Sequence, residues 1–193
     1  SYIYNSRDLC MIEHLDKLTQ AGVTSFKIEG RNKSIYYCAI VARAYRKAID
    51  TIGKESRIQN SELRKLIKEL ETVTNRGYST GFYFGRPTDA DINYETSRPS
   101  SEWQFVGIIK SRLESFEAPA ANSHRRTANF YLVEARNEIK PSTAVEIVTP
   151  DKIFKTKLNN FIAPNGTPII KPNPNTLFVL ISEHDYPVNT MLR

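Results

Sequence analysis

The stretch SFKIEGRNKSIYY, residues 25–37, decides how the first part of this chain is read. Up to Gly30 it completes VTSFKIEG (23–30), whose alternation reads as a buried strand with Ser25, Lys27 and Glu29 on one face and Phe26, Ile28 and Gly30 on the other. Ser34 then stands where a helix N-cap belongs. The segment SIYYCAIVARAYRKAIDTI (34–52) sets Ile35, Cys38, Val41, Tyr45 and Ile49 at three- and four-residue spacing, opposite Arg43, Arg46, Lys47 and Asp50. That is the pattern of an amphipathic helix. Strand then helix puts Lys27, Glu29 and Arg31 at the C-terminal end of the strand, where parallel α/β folds collect their active-site groups. Buried charges are costly unless paired, so these three either neutralise one another or face a polar ligand.

Working outward, SYIY (1–4) reads as a strand, and CMIEHLDKLTQAG (10–22) as a helix with Met11, Leu15 and Leu18 on one stripe and Gly22 as its stop. Residues 1–52 are therefore a βαβα unit with a parallel strand pair. Parallel pairs are normally covered on both faces and are rarely stable as two strands. The unit is expected to be the end of a larger barrel or doubly wound sheet whose earlier strands lie outside this sequence. A third helix, NSELRKLIKELETVTN (60–75), has Asn60 or Ser61 as its expected cap and Leu63, Leu66, Ile67 and Leu70 on one face. Residues 76–102 have no period but carry Tyr78, Phe82, Tyr83 and Phe84, too many aromatics for a disordered linker, so an ordered one is expected. From Phe105 the pattern is β: FVGIIKS, ANFYLVEAR, AVEIV, IFKTKLNNFI, TLFVLIS and TMLR, separated by Pro, Asn and Gly turns. Short strands in this number argue for a small closed barrel, since closure removes exposed edges. The expected organisation is α/β followed by all-β: 1–75, linker 76–102, and a barrel over 103–193.

A chain of 193 residues with 40% hydrophobic content can bury a sizeable core. Its formal net charge of +6 is compatible with a polyanionic partner and is also common among soluble proteins. Two cysteines exclude a disulfide framework, and no apolar run is long enough to span a bilayer, so a cytoplasmic protein with reduced thiols and no membrane partner is expected. The start SYIYNSRD has neither a signal core nor an initiator methionine, which points to a chain beginning inside a longer protein. There is no HExxH or GxSxG pattern and no cysteine with a persuasive histidine partner. For phosphate contact the candidates are Arg125 and Arg126 in the basic loop SHRRT (123–127), together with Arg112 and the basic face of the second helix; solvated loop charge is the alternative. Nothing in the sequence fixes an oligomeric state.

Several motifs recur in a fixed order: NSRDLCMIEHL, AGVTSFKIEGRNKSIYY, ARAYRKAID and NRGYSTGFYFGRP, covering residues 5–87. Together they resemble the C-terminal half of the collagenase-like peptidase family U32, and the β region with AVEIVTPDKIF is similar to that family's extra C-terminal domain. The resemblance implies the last βα units of a TIM-barrel-like domain followed by a small β-barrel. It further implies one of two activities for the intact protein. One is an iron–sulfur-dependent RNA hydroxylase acting on tRNA uridine, with a 4Fe-4S cluster and the barrel as substrate-binding module. The other is a peptidase acting on protein or collagen, or its non-catalytic binding module. Cys10 in SRDLC corresponds to the family's last cluster cysteine, and the other three would lie upstream of Ser1. From the residues alone, Cys10 at a strand-to-helix junction suits a thiolate, but for a lone cysteine with no visible partner the reading as one more small buried apolar residue normally prevails. This chain alone is expected to lack the cluster and to be inactive. Lys27, Glu29 and Arg31 are the expected catalytic groups.

Overall fold

Two short parallel strands tie together the first part of the chain. The computed structural model describes residues 5–55, 58–94, 101, 103–116 and 128–193, which fall into two compact units, Ser1–Trp103 and Gln104–Arg193. In the first, strand β1 (Asp8–Leu9) leads through a short 3-10 turn (Ile12–His14) into helix α1 (Leu15–Gln20). Helices α2 (Ile35–Glu55) and α3 (Asn60–Leu70) follow, and strand β2 (Tyr78–Ser79) pairs with β1 in parallel, Asp8 opposite Tyr78 and Leu9 opposite Ser79.

Helix α2 starts where expected, with the Ser34 hydroxyl accepting the Tyr37 N–H at 3.1 Å. Its buried face is turned from the expected stripe: Tyr36, Ile40, Val41, Ala44 and Ala48 are buried, while Ile35 is 45% exposed. Two alanines on that face let another element approach closely, and α3 supplies buried Leu66 and Leu70. Arg43, expected on the solvent face, instead pairs with Glu69 of α3, the two side chains only 8% and 9% exposed. Neither Asn60 nor Ser61 caps α3; Gln59 holds the cap position without a side-chain bond.

The largest departure concerns residues 23–30, which are not a buried strand. No ladder reaches them among the described residues, and Val23 and Ile28 are 37% and 39% exposed. Alternation shows which residues could share a face, but a strand exists only through hydrogen bonds to a neighbour, and the described residues bring none. The parallel partner of β1 is β2, from the stretch expected to be a linker; SYIY lies outside the described residues. That stretch folds back on the N-terminal segment, with the Asn93 N–H donating to the Asn5 carbonyl at 2.8 Å and the Asn93 side-chain amide to the Arg76 carbonyl at 3.1 Å.

The second unit is built on one antiparallel sheet of six strands in the order β6-β5-β10-β3-β4-β9. These are β3 (Gly107–Leu113), β4 (Asn129–Ala135), β5 (Thr143–Val148), β6 (Ile153–Leu158), β9 (Leu177–Ser182) and β10 (Met191–Leu192). The expected strand IFKTKLNNFI divides into β6 and β7 (Phe161–Ile162), and β7 pairs with an unforeseen β8 (Pro168–Ile169). Along β4 the alternation is clean, with Tyr131, Val133 and Ala135 fully buried against Ile109, Ile147, Phe178 and Leu192. The last strand, β10, lies between β3 and β5, and the Arg193 guanidinium after it reaches the Glu146 carboxylate at 2.8 and 3.0 Å.

The expected closed barrel is a curled half-barrel. No ladder joins the edge strands β6 and β9 among the described residues. Instead the Phe154 ring on β6 meets His184 and Tyr186, just beyond β9, at 4.6 and 5.3 Å between centroids. The twist common to all strands brings the two edges round, and aromatic contact covers the seam that hydrogen bonds leave open.

Candidate functional site

The two ends of the β1–β2 pair gather the most interdependent polar groups of the first unit, an ion-paired set at the start of the strands and Cys10 just past the end of β1. Asp8 on β1 is 13% exposed and is gripped by Arg76, whose Nε and Nη2 donate to Oδ1 at 3.0 and 2.6 Å. The same guanidinium donates to the Asn5 side-chain oxygen at 3.0 Å, and the Lys33 ammonium stands 4.0 Å from the other Asp8 oxygen.

Cys10 follows β1 directly, its N–H continuing the parallel ladder to the Ser79 carbonyl at 2.9 Å. Its sulfur lies 3.5 Å from the hydroxyl of Tyr45 on α2. That hydroxyl oxygen also accepts the Met11 N–H at 3.1 Å, and either the hydroxyl or the thiol can supply the proton between them. Burial above all, then the nearby Cys10, pushes the Tyr45 hydroxyl well above the ordinary tyrosine range. Tyr78 on β2 donates to the Leu70 carbonyl at 2.7 Å and is likewise pushed up, mainly by burial and then by Cys10, Tyr37 and Asp8. Tyr37 is raised by burial, then by Asp8, Cys38 and Cys10, and Lys33 sits over its ring at 4.9 Å. Asp8, both cysteines and three tyrosines thus form one electrostatic neighbourhood.

Cys38, expected in the core, is half-buried, and its thiol faces the Gly30 carbonyl at 3.7 Å. A Cβ on Gly30 would stand 2.6 Å from that sulfur, so a side chain there would force the Cys38 thiol or the turn to shift. Gly30 closes the motif that carries Lys27, Glu29 and Arg31. All three are exposed, and no ion pair joins them to one another among the described residues. The Glu29 carboxylate instead accepts the Arg31 backbone N–H at 2.9 Å, turning the chain into the 31–33 bend.

In the second unit Arg112 is exposed, with Asp185 at 3.1 Å and the Asn129 side-chain oxygen at 2.6 Å. Arg125, Arg126 and the rest of SHRRT lie outside the described residues. Among the described residues no three His, Cys, Asp or Glu side chains are placed to hold a metal ion. With two cysteines, this chain does not by itself fit a four-thiolate cluster.

Sequence reasoning reached Cys10 but missed Asp8, Arg76, Tyr45 and Tyr78. Asp8 and Arg76 are 68 residues apart, and no periodicity joins them. Tyr45 was visible only as a member of an apolar stripe.

Residues 1–93 match the model of peptidase family U32. The tRNA hydroxylation protein P of Escherichia coli is 36% identical over 151 residues, which cover 78% of this chain and 30% of that protein. An uncharacterized protease of Methanocaldococcus jannaschii is 40% identical over 108 residues, 55% of this chain and 26% of its own length. A collagenase of Porphyromonas gingivalis is 36% identical over 85 residues, 44% of this chain and 23% of its own length. The chain spans less than a third of each of these relatives.

Proposed function

This chain belongs to peptidase family U32 through its residues 1–93, and from that premise we propose that the intact protein is a cytoplasmic hydroxylase of tRNA uridine. The observation that carries this reading is the extent of likeness. The alignment with the tRNA hydroxylation protein runs over 151 residues, well past residue 93 and into the β unit, whereas that with the collagenase spans 85. A β unit shared with a tRNA-modifying protein supports a substrate-binding role for it, with Arg112, Arg125 and Arg126 as phosphate contacts.

On this reading residues 1–75 complete a TIM-barrel-like domain whose other strands lie outside the chain. Lys27, Glu29 and Arg31 line its active face; their exposure supports that role. Cys10 is one thiolate of a 4Fe-4S cluster completed by cysteines outside this chain, and the cluster would supply one-electron redox chemistry. The place of Cys10 at the end of β1 supports the assignment.

A second reading, peptidase, rests on the collagenase likeness. The two part in one experiment, in which the full-length protein, reconstituted with iron and sulfide without oxygen and supplied with a small-molecule extract of cells as the source of oxygen donor and oxidant, is given tRNA or gelatin. The expected result is an oxygen atom added to uridine in the tRNA and intact gelatin. Glu29→Gln and Arg31→Gln should lower that rate at least about tenfold, or about 1.4 kcal/mol of transition-state stabilisation, with little change in melting. Cleaved gelatin with unmodified tRNA would overturn the proposal.

A further inference from the structure

Directly after β2 the chain makes a tight turn that lifts three aromatic rings out of the surface. Phe82, Tyr83 and Phe84 are 79%, 59% and 55% exposed. The turn that carries them is set by its backbone. Gly81 and Gly85 take φ of +57° and +129°, the Ser79 hydroxyl accepts the Gly81 N–H at 2.9 Å, and the Tyr83 N–H reaches the Thr80 carbonyl at 3.3 Å. Three consecutive side chains on such a turn cannot all enter one core. Exposed aromatics in this density mark an interaction site, not an accident of surface composition.

The setting of the rings indicates what they bind. The Phe84 ring is backed edge-on by the His14 imidazole at 4.5 Å between centroids, and the Lys17 ammonium stands over it at 4.9 Å. Arg86, also exposed, follows one residue after the turn. Flat rings with a lysine, an arginine and a histidine among them are complementary to the π faces and phosphates of an unpaired nucleic acid strand. The ridge also adjoins the site already described: it begins three residues after the end of β2, and exposed Leu9, next to Cys10, reaches to 3.3 Å of where a Gly81 Cβ would stand.

We propose that Phe82, Tyr83 and Phe84 form a stacking platform for unpaired bases of an RNA substrate, with Lys17 and Arg86 holding the adjoining phosphates. The proposal rests on the RNA reading above and gives it a place on the molecule. Stacking tolerates any base, so the platform holds a single-stranded loop near the reacting position without choosing its sequence.

The test is binding of the full chain to a single-stranded oligoribonucleotide carrying a fluorescent purine analogue whose emission is quenched on stacking. The variant Phe82→Leu/Tyr83→Leu/Phe84→Leu keeps apolar bulk and removes the π faces. We expect it to melt with the parent chain, to lose the quenching and to bind at least about tenfold more weakly. Lys17→Gln should reduce the slope of log affinity against log salt by about one phosphate contact. If the leucine variant melts early, Phe82→Leu alone replaces it, with an expected loss of about threefold or more. Undiminished binding and quenching in a folded leucine variant would overturn the platform and leave the RNA reading intact. Failure of the full-length protein to bind any RNA would remove both.

Discussion

At the scale of single residues, five tyrosines carry the clearest consequence. Tyr37, Tyr45, Tyr78, Tyr131 and Tyr186 all have hydroxyls raised above the ordinary value, each chiefly by burial. Unfolded, each would ionise near pH 10, as tyrosine does in open chains at about that value. The folded chain therefore holds these protons more tightly than the unfolded one. Stability from this source is complete below about pH 10 and is lost as pH rises through the folded-state values. The denaturant midpoint should stay level from neutral pH to about 9 and fall above about 10, with tyrosinate absorbance from these residues appearing together with unfolding. The double variant Tyr45→Phe/Tyr78→Phe should show a shallower alkaline fall. Tyrosinate appearing in full near pH 10 without loss of structure would contradict the burial that the site depends on. None of this was legible beforehand. Periodicity placed Tyr45 on the inward side of α2, but its hydroxyl meets Met11, 34 residues away, and a helical wheel says nothing about what a side-chain tip reaches.

At the scale of elements, α2 and α3 are joined by the Arg43–Glu69 pair as well as by apolar contact. Removing one member strands a nearly buried charge. Arg43→Met should cost about 3 kcal/mol in urea denaturation, while Arg43→Met/Glu69→Leu should regain most of that. A single variant as stable as the parent would show that the pair is solvated. The second helix and the six sheet strands were legible because their patterns are long or strictly alternating and their partners lie within this chain. Residues 23–30 were misread for the opposite reason: VTSFKIEG has the right residues for a strand, but no neighbour among the described residues completes it. β2 was hidden because its two residues sit in a Gly-rich run whose role is set by β1, some 70 positions earlier. The open seam of the half-barrel was equally unreadable, since Phe154 and Tyr186 are only two more aromatics in a sequence rich in them.

At the scale of the whole molecule, the family was legible because several linked motifs occur in order, and that order is more specific than any single residue. The candidate site was less so. Cys10 could be picked out through the family resemblance, while the ring of groups around it is held by contacts across the fold. The account's central claim is that this chain is part of an iron–sulfur tRNA hydroxylase in which Cys10 is a cluster ligand. It is tested most directly by mass analysis of nucleosides in tRNA from cells that lack the gene and carry either the parent protein or Cys10→Ala. The account predicts that a hydroxylated uridine vanishes on deletion, returns with the parent protein, and fails to return with Cys10→Ala expressed at the same level. An unchanged nucleoside profile on deletion, or full restoration by Cys10→Ala, would contradict it.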